Sequence, residues 1–232
     1  MPKSVAILQS NYIPWKGYFD LIRRVDEFIL YDDMQYTKND WRNRNRIKTK
    51  SGIQWLTIPV VTESLKQRIK DTRVVSGSNW QKKHLATLRQ SYAKAPYFKH
   101  YHDVFADLYN ASSPFLSEIN YEFLTTICRL LKINTKISWS SDYQLADGKT
   151  ERLIALCKQA GADSYLSGPS AKNYLDESLF VQNGIDVTFI EYHYPEYPQL
   201  FPPFEHAVSI VDLLFNVGPN AMQYIATDVL DP

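Results

Sequence analysis

The chain has 232 residues, which is enough for one large domain with a sizeable core. It carries 26 Lys and Arg against 25 Asp and Glu, and this net charge of +1 argues against a protein that coats nucleic acid or a membrane surface. Its apolar runs are far shorter than the ~20 residues of a membrane span, and the N-terminus lacks the apolar region of a signal peptide.

The N-terminal part of the chain predicts a compact βαβ unit. Two short apolar runs are typical of buried strands, and we predict strands at 4–9 and 27–31. Between them, a loop containing Pro14 and Gly17 leads into a helix over 18–25. Two strands joined in this way are expected to be parallel, with a right-handed crossover.

The segment 38–50 is strongly basic, with six Lys or Arg and one Asp. Arg42, Arg44 and Arg46 alternate with asparagines, so in an extended strand the three guanidinium groups would share one face. Such a face suits phosphate or carboxylate oxygens. The alternative is a solvated edge strand whose charges prevent pairing with other chains.

After this segment we predict a hairpin, completed by a turn at 51–52 and a strand at 54–61, and a further short strand at 69–75. The pattern then becomes helical, and residues 78–132 form a predicted helical insertion or subdomain. Its helices are predicted at 80–93, 97–110 and 115–131.

The alternation of strands and helices then resumes. We predict strands at 136–140, 164–166 and 186–192, and helices at 150–160, 172–175, 177–183, 207–216 and from Gly218 onward. Together these elements predict an α/β protein with a mainly parallel, Rossmann-like sheet, as a single domain over 1–232 that contains the helical insertion.

Polar and aromatic side chains follow both N-terminal strands. Because ligands of open α/β sheets bind at the carboxyl ends of strands, we expect these side chains on one rim, joined by residues near 167–174 and 192–199. The predicted substrate contacts are Gln9, Asn11, Tyr12, Trp15, Tyr18, Gln35, Tyr36, Trp41, Arg42, Asn43, Arg44, Arg46, Gly168, Ser170, Asn173, Tyr174 and Gln199.

The turn at 167–170 lies between a predicted strand and a helix N-terminus. Free backbone N–H groups and the helix dipole favour an anion at such a point. The turn has no Walker lysine and no complete G-x-G-x-x-G, so an ordinary strand-to-helix connection is the alternative.

Asp32, Asp33 and His193 are the candidates for proton transfer. The two carboxylates end the second strand, and His193 follows the last strand on the same rim. The alternatives are structural: one Asp caps a turn, the other pairs with Arg44 or Arg46, and His193 is a satisfied structural imidazole.

Metal and hydrolase signatures are missing from the sequence. Cys128 and Cys157 fall in apolar helical patterns without metal-ligand spacing, and there is no H-E-x-x-H, C-x-x-C or G-x-S-x-G. We therefore predict a reduced, cytoplasmic protein without a structural metal. The sequence leaves any cofactor unknown.

Four stretches resemble the WbqC-like family, and together they span residues 4–218. They are LQSNYIPWKGYFDLI, YDDMQYTKNDWRNRNRIK followed by G-x-x-W-L-T-I-P-V, YLSGPSAKNYL, and YPQLFPPFEHAVSIVDLLFNVG. The family's name is linked to bacterial O-antigen and other surface-polysaccharide clusters, in which nucleotide-activated amino sugars are made and modified. The resemblance therefore implies a role in that biosynthesis.

The N-terminal loop also distantly resembles the nucleotidylyltransferase superfamily, whose loop reads roughly P-x-H-x-G-H-x-x-L-I. In the matching stretch, which begins at Pro14, Trp15 or Lys16 stands near the first signature histidine and Tyr18 stands at the second. The resemblance implies a HUP or nucleotidylyltransferase-like fold, with Lys16 as a possible source of catalytic charge. Since both histidines are absent, it implies the fold more strongly than the reaction.

The leading hypothesis is a transferase that moves an acyl or aminoacyl group from a donor carrier to a nucleotide-activated amino sugar. In this hypothesis Arg44 and Arg46 hold the diphosphate, rings at 12, 15 and 41 stack on base or sugar, and Asp32, Asp33 or His193 takes the amine proton. One alternative is a nucleotidylyltransferase-like enzyme with a rebuilt loop. The other is a non-catalytic module that binds anions or nucleic acid through 38–50, against which the near-neutral charge argues.

Overall fold

The computed structural model describes residues 2–111 and 113–226. It confirms the predicted α/β class, with a five-stranded parallel sheet of Rossmann-like type. The strands are β1 (Ser4–Leu8), β2 (Glu27–Leu30), β3 (Arg44–Thr49), β4 (Gly52–Thr57), β5 (Lys136–Trp139), β6 (Ser164–Ser167) and β7 (Asp186–Phe189). The α-helices are α1 (Lys16–Arg23), α2 (Trp80–Tyr92), α3 (Phe98–Asn110), α4 (Leu116–Leu130), α5 (Lys149–Gln159), α6 (Glu177–Gln182) and α7 (Ile210–Val217).

The sheet divides the core into two layers. Successive side chains of a strand point to opposite faces, so Ala6 and Phe28 pack on one side and Val5, Ile7 and Ile29 on the other. The larger layer includes α1, α7 and the helices α2 to α4, and the smaller one includes α5 and α6. Burial on both faces explains why residues 5–8 of β1 and 28–30 of β2 are continuous apolar runs.

The strand order is β5-β2-β1-β6-β7. The chain adds β2 and β5 on one side of β1, and then crosses to add β6 and β7 on the other side. The direction of winding therefore reverses between β1 and β6, which is where open α/β sheets form a ligand crevice.

The basic segment forms a separate antiparallel hairpin of β3 and β4, outside the main sheet. Its turn lies at Lys50 and Ser51, one residue earlier than predicted, because Thr49 pairs with Gly52. Arg42 precedes the hairpin in a turn, so the prediction that three arginines share a strand face was wrong. Of the three arginines, Arg44 and Arg46 lie on β3 and share one face of that strand.

The predicted strand at 69–75 was also wrong. Residues Ile69–Asp71 form a 3-10 helix, and the chain beyond it makes isolated bridges. Backbone N–H groups of Ile69 and Lys70 donate to carbonyls of Met34 and Asp32, at 2.9 and 3.0 Å. Because these bonds tie the segment to the loop after β2, it does not form a strand.

Helices α2, α3 and α4 occupy the chain between β4 and β5 and pack against the loop after β1. The hydroxyl of Tyr12 lies 2.9 Å from Nδ1 of His84 on α2 and 2.6 Å from the hydroxyl of Tyr109 on α3. Within the described ranges, no helix is both long and apolar enough to cross a membrane.

Burial lowers the pKa of His84 to about 4, below its ordinary value of 6.5. The imidazole is therefore neutral when the protein is folded, but takes up a proton in the unfolded chain below pH 6.5. Its contribution to stability is complete above pH 6.5 and is lost as the pH falls toward 4. We predict that this imidazole alone lowers the free energy of unfolding by roughly 3 kcal/mol over that range.

Urea unfolding of the wild type and of His84→Gln between pH 4 and 7.5 tests this prediction. The variant should be less stable at neutral pH but should depend less on pH across the window. The difference between the two curves isolates His84 from other titrating groups, and parallel curves would contradict the prediction.

Candidate functional site

A cavity of about 700 Å³ opens at the point where the sheet reverses its winding. We call it the main cavity. Its wall comes from the ends of β1 and β6, the loops that follow them, the loops after β2 and β7, and the starts of α1 and α5. The lining residues are Ile7, Leu8, Gln9, Asn11, Trp15, Tyr18, Tyr31, Met34, Trp41, Arg42, Gly148, Lys149, Arg152, Leu153, Tyr165, Ser167, Gly168, Pro169, Ser170, Ala171, Tyr174 and Tyr192.

Aromatic rings form much of this wall. The Trp15 and Tyr192 rings meet edge to face with centroids 4.9 Å apart. The hydroxyl of Tyr18 donates to the carbonyl of Gln9 at 2.8 Å, and burial holds the pKa of Tyr18 well above 10. Tyr18 is thus a neutral hydroxyl that holds the end of β1 in place. Rings of this kind offer flat apolar surface to a base or a sugar.

Three cationic side chains also face the main cavity. The Arg42 guanidinium is 3.4 Å from Oδ1 of Asn11 and 3.3 Å from a carboxylate oxygen of Asp40. Lys149 and Arg152 are three residues apart, so they share one face of α5 at its N-terminus.

The N-terminus of α5 adds to this positive character. Gly148 precedes the helix with φ 88°, and no side chain caps the first N–H groups. No Asp, Glu or His is among the residues that line the main cavity. The carboxylate of Glu151 in the first turn packs against Gly148 and offsets one positive charge. The helix dipole and the three cations still leave a positive site, which suits an anion such as a phosphate.

A second, smaller cavity of about 250 Å³ adjoins the first, and we call it the annex. The two cavities share Asn11, Trp15 and Trp41 as lining residues. The annex is completed by Pro14, Asn45, Arg46 and Ala207. The loop after β1 therefore contributes to both spaces.

The structure brings about half of the predicted substrate contacts together. Those that line the main cavity are Gln9, Asn11, Trp15, Tyr18, Trp41, Arg42, Gly168, Ser170 and Tyr174. Arg46 lines the annex.

The remaining predicted contacts lie outside both cavities. Tyr12, Tyr36 and Asn43 are buried in packing, and Asn43 donates to the carbonyl of Ile58 at 2.9 Å. Gln199 belongs to a buried hydrogen-bond network around Asp212. The others are Gln35 and Asn173, which are exposed, and Arg44, whose guanidinium carbon lies 4.1 Å from the ring centroid of Trp55.

Asp32 does not reach the main cavity. Its carboxylate is buried, accepts a hydrogen bond from the backbone N–H of Ser10 at 2.8 Å, and accepts another from the hydroxyl of Ser117. Burial raises the pKa of Asp32, and these hydrogen bonds oppose the rise. The carboxylate thus joins the end of β1 to α4.

The other predicted catalytic groups are also turned away from the cavities. Asp33 pairs with Lys70 at 2.5 Å and accepts from the hydroxyl of Ser140 at 2.8 Å. The side chain of His193 is 84% exposed and lies 3.6 Å from a carboxylate oxygen of Glu191. Neither Asp33 nor Asp32 pairs with an arginine of the hairpin.

Lys16 points to the opposite side of the loop. Its Nζ donates to the carbonyl of Pro195 at 3.1 Å and lies between the rings of Tyr194 and Tyr197. Burial lowers the pKa of Lys16 to about 8. In this position its charge is not directed at a ligand in the main cavity.

Sequence reasoning missed the cations of α5. The signal available was the spacing of Lys149 and Arg152 in the first turn of a helix preceded by Gly148. A helix that follows a strand of a parallel sheet often begins at the carboxyl rim, where its N-terminus faces a ligand. Tyr31, Met34, Ser167 and Tyr192 line the same cavity and fall within the predicted rim segments 31–46, 167–174 and 192–199, although they were not named as substrate contacts. Tyr165, which also lines the cavity, lies outside those segments.

The chain is similar to known proteins over almost its whole length. A profile of the WbqC-like protein family matches residues 9–224. The chain is 53% identical over 226 residues to a protein of Mycobacterium tuberculosis (strain ATCC 25618 / H37Rv) named Uncharacterized protein Rv1507c, with 96% of this chain and 97% of that protein aligned. No solved structure matches significantly. The matched range includes the loop after β1, the hairpin and α5.

We predict that Asp32→Ala lowers the free energy of unfolding by roughly 1–3 kcal/mol, because the buried N–H of Ser10 loses its acceptor. Asp103→Ala is the control, since that carboxylate is exposed and should change stability by less than about 0.5 kcal/mol. Urea unfolding measures both. Unchanged stability in Asp32→Ala, together with loss of ligand binding, would make Asp32 a ligand-binding group instead.

Proposed function

This chain belongs to the WbqC-like protein family, and from that membership and its cavity we propose an enzyme of bacterial surface-polysaccharide (O-antigen) biosynthesis. It acts on a nucleotide-activated amino sugar and transfers an acyl or aminoacyl group to it from a donor carrier. The biosynthetic setting rests on the association of the family's name with O-antigen clusters. The ligand class rests on the site.

The observation that carries the proposal is the main cavity itself. Its volume of about 700 Å³ falls within the roughly 300–1,000 Å³ range of small-molecule and cofactor sites. It combines aromatic walls with cations and free helix N–H groups, and it lies at the reversal of the sheet. A nucleotide sugar has the matching parts: an aromatic base, a diphosphate and a polar ring.

The diphosphate fits best at the N-terminus of α5, beside Lys149, Arg152 and Arg42. This assignment differs from the hypothesis drawn from the sequence, in which Arg44 and Arg46 bind the diphosphate. Arg44 is stacked on Trp55 outside the main cavity, and Arg46 faces the annex. The rings of Trp15, Trp41 and Tyr192 then remain for the base or the sugar.

The proposed reaction balances without a metal or redox partner. The amine nitrogen of the sugar attacks the carbonyl carbon of the donor, and a C–N bond forms. The bond from that carbon to the sulfur or oxygen of the carrier breaks, and the proton lost by the amine goes to the departing carrier group. The products are an amide-bearing sugar and the free carrier.

The absence of a carboxylate from the cavity lining is consistent with an amine nucleophile. Attack requires the neutral amine, and a nearby carboxylate would stabilise the ammonium form instead. The hydroxyls of Tyr192 and Tyr31 cannot serve as bases at neutral pH, since burial raises the pKa of Tyr192 to about 12 and also raises that of Tyr31. The site thus acts by binding and orientation.

Nucleotidyl transfer is the second candidate. It is favoured by the position of the loop after β1, which begins the stretch that resembles the superfamily loop and lines the cavity. The chemistry counts against it, because Lys16 is directed away and Trp15 and Tyr18 stand where charged side chains would be needed. Release of pyrophosphate from a nucleoside triphosphate by the purified protein would favour this candidate over acyl transfer.

We predict that a nucleotide-activated amino sugar raises the thermal stability of the protein, while a nucleoside triphosphate at equal concentration does so less. A ligand at 100 times its dissociation constant adds about 2.7 kcal/mol. Thermal unfolding against a panel of nucleotide sugars, nucleoside diphosphates and triphosphates measures this. A panel without any stabilising nucleotide sugar would contradict the proposal.

Lys149→Gln should weaken binding of that nucleotide sugar roughly fivefold, as expected for loss of one partly solvated charge on a phosphate. Lys158→Gln is the matched control, since Lys158 is an exposed lysine in the last turn of the same helix and donates to Oδ1 of Asn183. Its effect should stay within about twofold. Calorimetric titration measures both, and equal effects would remove α5 from the phosphate site.

A further inference from the structure

The annex differs in chemistry from the main cavity. Pro14, Trp15, Trp41 and Ala207 give it apolar walls, and Arg46 is the charged residue among those that line it. The annex is the smaller of the two spaces and adjoins the main cavity, because the two share three residues of the wall. A small organic group can therefore enter the annex while a larger ligand fills the main cavity.

Arg46 is held in place by packing and by its backbone. Its guanidinium carbon lies 5.6 Å from the ring centroid of Trp41 and 5.8 Å from that of Trp55. Its N–H donates to the side-chain oxygen of Asn45, and its carbonyl accepts from the N–H of Ser209, both at 2.8 Å. The two hydrogen bonds fix the backbone of Arg46, and the two rings pack beside its guanidinium.

The guanidinium nevertheless lacks an acceptor. Nε of Arg46 is buried without a hydrogen-bond partner in the described part of the chain, and none of the ion pairs there involves Arg46. Because Nε is closed to solvent, a ligand in the annex would meet the terminal nitrogens of the guanidinium. The described residues supply no acceptor to these nitrogens either, and an anionic acceptor would satisfy them. Since a guanidinium binds the two oxygens of a carboxylate in parallel, a carboxylate is the acceptor that fits best.

The other polar side chains at the annex do not compete for this role. The amide of Asn45 is fully used, because its nitrogen donates to the carbonyls of Tyr12 and Ile13 and its oxygen accepts from the backbone of Arg46. Oδ1 of Asn11 accepts from Arg42 at 3.4 Å, and Asn11 lines both cavities. The annex therefore offers donors to one planar acceptor, between apolar walls.

We infer that the annex is a second ligand subsite, which takes a small planar carboxylate. The carboxylate binds to Arg46, and the hydrocarbon part lies against Trp15 and Trp41. In the proposed reaction this position fits a donor whose acyl group carries a free carboxylate. That assignment to the donor rests on the proposed function, whereas the preference for a carboxylate rests on the annex alone.

The test compares 4-fluorobenzoate with 4-fluorobenzamide, which has the same shape and no charge. Fluorine NMR of each compound, titrated with the purified protein, gives the dissociation constants. We expect the carboxylate to bind and the amide to bind at least roughly tenfold more weakly, as for loss of one charge-assisted pair. Equal binding of the two compounds, or no binding of the carboxylate, would overturn the inference.

Arg46→Gln should weaken binding of 4-fluorobenzoate by roughly tenfold or more. Arg44→Gln is the matched control. Arg44 lies two residues away on the same strand, stacks on the same Trp55 and also has a buried Nε without a partner, yet it lines neither cavity. Its replacement should change the affinity by less than about twofold. Equal losses in the two variants would overturn the inference.

A second variant covers the case in which Arg46→Gln fails to fold. Ala207→Leu fills the annex without altering the arginine, and it should abolish binding of 4-fluorobenzoate. Unchanged binding in this variant would place the carboxylate elsewhere and refute the subsite.

A nucleotide sugar titrated against the same proteins separates the two proposals. Its affinity should survive in Ala207→Leu, because the phosphates are assigned to α5. Carboxylate binding without nucleotide-sugar binding would refute the proposed function but leave the subsite standing. The reverse result would refute the subsite alone.

Discussion

The loop at 11–15 is the constraint on which the rest of the site depends. Ile13 has φ 35°, in the left-handed region that a β-branched residue rarely enters, at a cost of roughly 1–3 kcal/mol. The loop keeps this conformation because its carbonyls are bonded from distant parts of the chain. The side-chain nitrogen of Asn45 donates to two of them, the hydroxyl of Ser209 to one, and the N–H of Ile210 to another. Both cavities are built against this loop.

A second anchor holds the hairpin to the C-terminal part of the protein. The buried carboxylate of Asp212 accepts from the hydroxyls of Tyr92 and Tyr197 and from the amide of Gln199, at 2.7 to 2.8 Å. Nζ of Lys48 on the hairpin donates to the same Gln199 at 2.7 Å. This network joins α2, α7 and the segment 193–204, which contains four prolines, to β3. Because its amide is bonded to Asp212 and Lys48, Gln199 does not line either cavity. It stabilises the packing of the hairpin instead.

The sheet could be predicted from the sequence because each of its strands is a short local pattern bounded by turn residues. The directions in which the long polar side chains point could not be predicted from the sequence. The two-residue spacing of Arg44 and Arg46 places them on one face of a strand, but the position of Trp55 and the cavity decides what each one meets. Asp32 follows a strand in the way a catalytic carboxylate would, yet its partner Ser117 lies 85 residues further on. Lys149 and Arg152 of α5 lie near the end of β1 because of the order of the strands in the sheet. The sequence does not specify that order.

The bonds of the 11–15 loop span unusually long stretches of chain, and the hydroxyl of Ser209 reaches back 196 residues to Ile13. During synthesis the N-terminal βαβ unit emerges from the ribosome long before this partner exists. The strained conformation of Ile13 is therefore not yet enforced by its full set of donors while most of the chain is being made. Contacts of such long range close slowly, since a large loop must be ordered first. We therefore expect the surface of the two cavities to be among the last parts of this protein to reach its final structure, even though half of its lining residues lie at or before Arg46.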